Sequence, residues 1–378
     1  MKLFKKIMSY TLVAVVASGA TMLLSFFATN SKLDNLIWVI DRYYVDPVDW
    51  QAVEDAAANA IVDALPDRWS YYISAADYED YADDKNNAYV GVGIVVQEDE
   101  KGFRILKVEE GGGAAAAGLQ AGDVVIRADG QDVAGWTVTQ VRDAIRGEEN
   151  TAVELVILRG EEQLTAKVQR FLIQRQVATG RMLEGNIGYI RIENFNTGCA
   201  EQTIARVQEL QEQGAVALVF DVRNNGGGYQ TELVAVLDYL LPEMEVFHAV
   251  DYRGKEEISY SDAACVELPM AVLINPESYS AAEFFAAALR VGNGAPLVGR
   301  PTVGKSHYQL TYDLGDGSAI ALSVGKYYTP DGVCLEDAGG LTPDVTVEIT
   351  EEQFLQIYAQ TLPLEEDPQL LAAVEALQ

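Results

Sequence analysis

The chain has 378 residues, 49% of them hydrophobic, which is enough for two or three cored domains at roughly 100–200 residues each. Its 27 Lys+Arg against 57 Asp+Glu leave a formal net charge of −30, which repels nucleic acid and anionic lipid over most of the surface, so no nucleic-acid partner is expected. Three widely spaced cysteines, Cys199, Cys265 and Cys334, follow no C-x-x-C pattern and, with only two histidines in the chain, make no familiar zinc site; no metal is expected, and a disulfide is allowed but not indicated.

The chain opens MKLFKKIMSYTLVAVVASGATMLLSFFATNSK, with no charge between Lys6 and Lys32. That run is long enough to cross a bilayer as a helix. Lys2, Lys5 and Lys6 precede it, so the positive-inside bias puts the N-terminus in the cytoplasm and the remainder outside. Ser18 and Ala20 would suit a cleaved signal peptide, but the apolar run continues through Phe26 and Phe27; residues 1–30 are expected to be a retained anchor.

Residues 31–88 read as a helical region, with Leu33, Leu36, Ile37 and Ile40 at helical spacing and Pro66 as a stop. From Tyr89 to about Gln169 the period shortens to strands between glycine turns, YVGVGIVV, GFRILKV, DVVIRADG, AVELVIL and QLTAKVQ, giving a β-rich module at 89–170. Two helical pieces, AAAAGL and VTQVRDAIRG, interrupt it; Arg142 and Arg146 on the second are expected to be solvated. Residues 171–350 alternate strand and helix: GYIRIENF, a helix at 197–213, VALVFD, the loop NNGGG, helix YQTELVAVLDYLL, MAVLIN, helix AAEFFAAALR and PLVG. Such alternation predicts an α/β layer with a largely parallel sheet, ligands gathering at the carboxyl ends of its strands. Residues 351–378 read as an acidic helical tail without a motif.

Residues 299–306, GRPTVGKS, fit the phosphate-loop pattern G-x-x-x-x-G-K-[ST]. A phosphate loop needs a helix after its lysine, yet Tyr308, Leu310, Tyr312 and Leu314 alternate with His307, Gln309, Thr311 and Asp313, which is a strand period. No nucleotide is therefore expected. The same alternation places Lys305, His307 and Gln309 on one face. Ser280 opens a helix, where with Glu283 three residues later it reads as a capping box; the same position offers the Ala281 N–H and the helix dipole to an oxyanion. The glycines of NNGGG read either as a flexible turn or as a close approach of backbone N–H to a carbonyl.

Four segments in order carry a resemblance. DVRNNGGG at 221–228 is similar to D-[LV]-R-x-N-P-G-G, SYSAAE at 278–283 to S-A-S-A-S-E, VGKSHYQ at 303–309 to F-G-K-G-x-V-Q, and YYTPDG followed by LTPD to Y-Y-T-P-x-G and I-x-P-D. These are motifs of the carboxyl-terminal processing peptidases, or tail-specific proteases, and the chain resembles them over almost everything after residue 30. The resemblance implies an α/β core of the crotonase-like ββα type with an inserted PDZ domain, no cofactor, and cleavage of proteins with exposed C-termini. It implies Ser280 as nucleophile, Lys305 as general base, Gln309 as the group orienting that lysine, and backbone N–H groups of Ala281 and Gly227 as oxyanion donors. In the PDZ domain it implies Tyr89, Val90, Gly91, Val92 and Gly93 as the carboxylate-binding loop. Gly226 for proline, Ala282 for serine and the intervening His307 depart from the pattern.

The chemistry is coherent with those roles. A serine needs a base, and lysine serves only when neutral, so its pKa must fall toward about 7 to 8 through desolvation. Glutamine holds an amine without adding the negative charge that would raise that pKa again. Asp221 and Arg223 are expected to pair and brace the loop, and His307 to line the cleft. The expectation is a membrane-anchored, extracytoplasmic serine endopeptidase; the alternative is a catalytically inactive PDZ scaffold that binds tails, and a homodimer is left open.

Overall fold

The computed structural model describes residues 31–109 and 111–377; the anchor expected at 1–30 lies outside them. No described helix is long and apolar enough to cross a membrane. The chain divides at Pro66 into two compact units. The first holds α1, Lys32–Tyr43, and α2, Trp50–Asp63. The continuous helical reading breaks at 44–49 because Pro47 cannot join a helix and Asp49 caps the next one, accepting from Ala52 N at 3.1 Å.

The second unit begins with β1, Tyr71–Ile73, α3, Tyr78–Asn86, and β2, Ala88–Gly91. A β-rich module follows: β3, Ile94–Asp99; β4, Gly102–Val108; α4, Gly113–Ala116; β5, Val124–Ala128; β6, Gln131–Asp132; α5, Val138–Ile145; β7, Ala152–Arg159; and β8, Glu162–Gln169. Phe103, Ile105, Val125, Val141 and Leu155 form its own core. Strand β9, Phe171–Gln174, pairs antiparallel with β2, so the module leaves and re-enters the chain at one two-stranded ribbon.

The core continues with β10, Ala178–Leu183; β11, Ile187–Ile192; α6, Cys199–Glu212; β12, Ala217–Asp221; α7, Gln230–Leu240; β13, Glu245–Asp251; and β14, Glu256–Tyr260. Then come β15, Met270–Ile274; α8, Ala281–Asn293; β16, Leu297–Gly299; β17, His307–Asp313; β18, Ala319–Tyr328; α9, Leu335–Ala338; and β19, Val345–Thr346. Helices α10, Glu351–Tyr358, and α11, Pro368–Ala376, end it. One sheet runs β10-β11-β12-β15-β16-β19, parallel except at β10. Strands β11, β12 and β15 are buried end to end, which explains their unbroken apolar sequences: helices cover both faces.

One face packs on α6, α7 and α8 around Phe220, Phe284 and Phe285; the other meets Leu370 and Ala373 of α11. The tail is thus structural. A second, antiparallel sheet is built on β18, with β17 along one edge and β1 and β13 along the other; β13 and β14 form a hairpin that the sequence did not announce.

Candidate active site

Helix α8 is buried from Ala281 to Leu289, and the residue before it, Ser280, has φ 60 and ψ −128. A non-glycine residue is rarely held there, and such strain gathers at functional sites. The loops around it are tied down. Ser278 Oγ donates to Val222 O at 2.7 Å, Tyr279 N to Asn225 O at 3.1 Å, and Asn275 Nδ2 to Asn224 Oδ1 at 2.7 Å, joining the serine loop to NNGGG. Gly227, at φ 86, is pressed so close that a Cβ there would lie 2.7 Å from Ser280 Cβ and 2.9 Å from Ala281 N.

Glu283 joins the serine to the lysine. Its Oε2 accepts from Ser280 N at 3.0 Å and Lys305 N at 2.8 Å, and its Oε1 from Gly304 N at 2.8 Å and Thr302 Oγ1. Burial raises this carboxyl's pKa, and the four donors work against that rise. Glu283→Gln should therefore loosen both loops at once, because an amide nitrogen cannot accept a hydrogen bond. The expected result is a fall in kcat of about 10²-fold, with a lowered melting temperature in thermal melts of the variant.

Ser280, Lys305, Gln309 and Ala281 line one cavity of about 750 Å³, together with Gly228, Tyr229, Phe284 and Tyr327. Ser280 Oγ shares a 2.5 Å hydrogen bond with Tyr327 Oη, a hydroxyl whose own ionisation burial suppresses. Lys305 Nζ sits 5.0 Å from the ring centre of Trp69 and 5.7 Å from that of Tyr279, two rings stacked on each other at 6.0 Å. Burial, reinforced by the charge of Lys85, lowers this amine to about 8 against the opposing pull of Asp67 and Glu283. Gln309 Nε2 donates to His307 O at 3.0 Å and Ser323 Oγ at 3.1 Å. Among the described residues no hydrogen bond joins Ser280 to Lys305 or Gln309 to Lys305. Gly227 N donates to Asn225 Oδ1 at 2.8 Å, while Ala281 N is the first amide of α8 and has no partner within the helix.

Some sequence expectations hold and others change. Lys305 is followed by strand β17, so the helix a phosphate loop requires is not there. His307 does not line the cavity: its Nδ1 lies 3.1 Å from Glu336 Oε2, which also meets Lys326 Nζ at 3.2 Å. Arg142 and Arg146 are not merely solvated. Arg142 pairs with Asp80 at 2.7 Å, and Arg146 with Asp80 at 2.8 Å and Asp83 at 3.0 Å, linking α5 of the β-rich module to α3. Asp221 and Arg223 do pair, at 2.7 Å, and Asp367 joins them at 2.7 Å. All three cysteines are free thiols.

Of the residues expected to bind a carboxylate, Tyr89, Val90 and Gly91 belong to β2, in the ribbon at the entry to the β-rich module, and the Tyr89 ring has Arg146 and Arg175 over it at 5.4 and 5.6 Å. Beyond them, Val92 O and Gly93 O accept from Ala114 N and Glu109 N.

Trp69, Tyr279 and Tyr327 were not singled out from sequence. Tyr327 stands in YYTPDG, but nothing in one sequence says that its hydroxyl reaches a residue 47 positions away. Tyr279 stands where the resembled pattern has alanine, beside Gly226 where it has proline. A Cβ on Gly226 would lie 2.6 Å from Tyr279 Oη, so the missing side chain is the room the tyrosine uses.

Residues 186–347 match the model of peptidase family S41, and residues 81–158 match that of the PDZ domain. The chain carries an S41 peptidase domain and a PDZ domain. Relatives include the carboxy-terminal processing protease CtpA of Bacillus subtilis (strain 168), 27% identical, covering 89% of this chain and 76% of the relative. A probable CtpA-like serine protease of Staphylococcus aureus (strain MSSA476) is 28% identical, over 88% of this chain and 68% of its own. Among solved structures, a photosystem II D1 C-terminal processing protease matches 81% of this chain and 84% of its own at 28% identity, with a TM-score of 0.46. The β-rich module is thus a PDZ domain and the α/β core an S41 peptidase domain.

Proposed function

We propose that this chain is a membrane-anchored, extracytoplasmic serine endopeptidase that engages exposed C-terminal tails through its PDZ domain and cuts peptide bonds with Ser280 and Lys305. The observation that carries the reading is the shared cavity: a strained serine at a helix start faces the same space as a buried lysine whose amine is lowered to about 8.

In turnover Lys305 Nζ leaves the Trp69 and Tyr279 rings and takes the proton of Ser280 Oγ as that oxygen attacks the scissile carbonyl. Ala281 N–H and Gly227 N–H hold the oxyanion, Gly227 exchanging Asn225 Oδ1 for the substrate oxygen, and Gln309 Oε1 accepts from the amine. As the C–N bond breaks, Lys305 passes its proton to the leaving amine. A water, deprotonated by the same lysine, then hydrolyses the acyl ester and restores Ser280.

The base is active only when neutral, so kcat/KM should rise with pH and reach half its plateau near pH 8; a flat profile from pH 6 to 9 would assign the base to another group.

The first test incubates the detergent-solubilised full chain, Ser280→Ala and Lys305→Ala with an unstructured protein ending in an apolar tail. Fragments from the wild type alone support the reading. Intact substrate throughout, with tail affinity retained, would make the chain a PDZ scaffold instead.

A further inference from the structure

Helix α3 carries Glu79, Asp80, Asp83 and Asp84, and one cation, Lys85. Three of its acids are taken by arginines: Asp80 by Arg142 and Arg146, Asp83 by Arg146, and Asp84 by Arg175. Lys85 forms no ion pair among the described residues. Its Nζ stands 5.6 Å from the Tyr81 ring centre, and Tyr81 Oη is in turn hydrogen-bonded to Thr311 Oγ1 of β17 at 2.8 Å, which fixes this part of α3 beside the strand that carries Gln309.

Lys85 lines the cavity that holds Ser280 and Lys305. Two ammonium groups therefore face one space, in a chain whose formal net charge is −30. The carboxylate lining that cavity is Glu257, and its Oε1 accepts from Gln230 Nε2 at 3.1 Å. The hydroxyl-bearing side chains Tyr78 and Tyr229 line it too. An unpaired cation in a cavity that it shares with tyrosine hydroxyls is a receptor for a carboxylate, because hydrogen bonds between charged groups are stronger than those between neutral ones.

We propose that Lys85 forms a carboxylate-binding subsite of the catalytic cavity, which receives either the terminal carboxylate of the peptide being cut or an acidic side chain near the scissile bond. The inference rests on the peptidase reading of that cavity. It adds a second point of carboxylate recognition, distinct from the loop expected at Tyr89 to Gly93, that would register the scissile bond at a set distance from a negative charge.

Two measurements test it. In turnover, one apolar peptide is supplied as the free acid, as the C-terminal amide, and as the amide with one aspartate introduced. The wild type should cut the free acid, or the aspartate peptide, about tenfold faster in kcat/KM than the neutral amide, in keeping with one charge-assisted hydrogen bond. Lys85→Met should lower that ratio about tenfold, leaving for the free acid only what the PDZ domain supplies, and Lys85→Arg should keep it. Preference for the acid alone identifies the chain terminus as the ligand; preference for the aspartate peptide identifies a side chain. A preference undiminished in Lys85→Met belongs to the PDZ domain and overturns the proposal.

The second measurement uses Ser280→Ala, so that no peptide is consumed, and follows acetylation of Lys85 by acetic anhydride with mass spectrometry. The free acid or the aspartate peptide should protect Lys85 and the neutral amide should not. Equal protection by all three refutes the subsite. Selective protection without any turnover by the wild type would uphold it while removing the peptidase reading.

Discussion

Lys305→Met should abolish cleavage and, at neutral pH, make the protein more stable. The loss in kcat is expected to be about 10³-fold, the usual contribution of a positioned general base. The gain follows from the amine's burial. Its pKa falls from 10.5 in the unfolded chain to about 8 in the fold. Below about pH 8 the folded state carries an ammonium it would rather not bury, at a cost of about 3 kcal/mol. Attraction to the Trp69 and Tyr279 rings offsets about 1 kcal/mol of that, leaving about 2 kcal/mol for methionine to recover. A lowered base pKa means the penalty is complete below about 8 and gone above 10.5. Thermal melts at pH 7 should therefore separate the variant from the wild type, and melts at pH 11 should bring them together. An active variant would contradict the first half of the argument, and one that melts lower at pH 7 the second.

Arg223→Met should be the most destabilising single change in the core. Asp221 is wholly buried; burial pushes its carboxyl up, but Arg223, Arg191 and the Tyr189 hydroxyl more than offset this and hold it at about 2. Arg223 donates to Asp221, to Asp367 and to Gln369 Oε1, so it also clamps the segment that leads into α11 beneath the parallel sheet. Removing it takes the bridging cation from two buried carboxylates and leaves Asp221 only Arg191 and the Tyr189 hydroxyl, a loss of about 3–5 kcal/mol. Urea unfolding should show it, with Arg223→Lys intermediate because one ammonium cannot span both acids. Asp221 titrates below its unfolded value of 3.8, so the stability it contributes in the wild type is present above that pH and is lost as pH falls toward 2.

Much of this architecture was legible along the chain because local signals and the final packing agree. The strand MAVLIN and the helix after Ser280 have apolar patterns that only a two-faced layer satisfies, and the period-two run after Ser306 excluded a phosphate loop. What stayed hidden depends on distant partners. The tail seemed featureless until Leu370 and Ala373 met the sheet and Asp367 met Arg223. His307 alternates in phase with Gln309, but its ring is drawn to Glu336. Trp69 lies in PDRWSYY, a segment without a motif, and reaches Lys305 because Ser70 Oγ accepts from Ser323 N at 2.9 Å and docks that segment on β18. Hydrogen bonds across 253 positions leave no periodic trace.

The fit of Tyr279 against Gly226 has a consequence for how this sequence could change. Either position alone is closed to the residue of the resembled pattern: a proline at 226 would meet the tyrosine ring, and an alanine at 279 would leave a gap beside Lys305 and remove one of its two rings. Contacting sites of this kind are strongly non-additive. The pair is therefore a small valley in the fitness landscape. Glycine with tyrosine and proline with alanine are its two banks, each intermediate lies lower than both, and lineages on either side would cross by paired substitution or hardly at all.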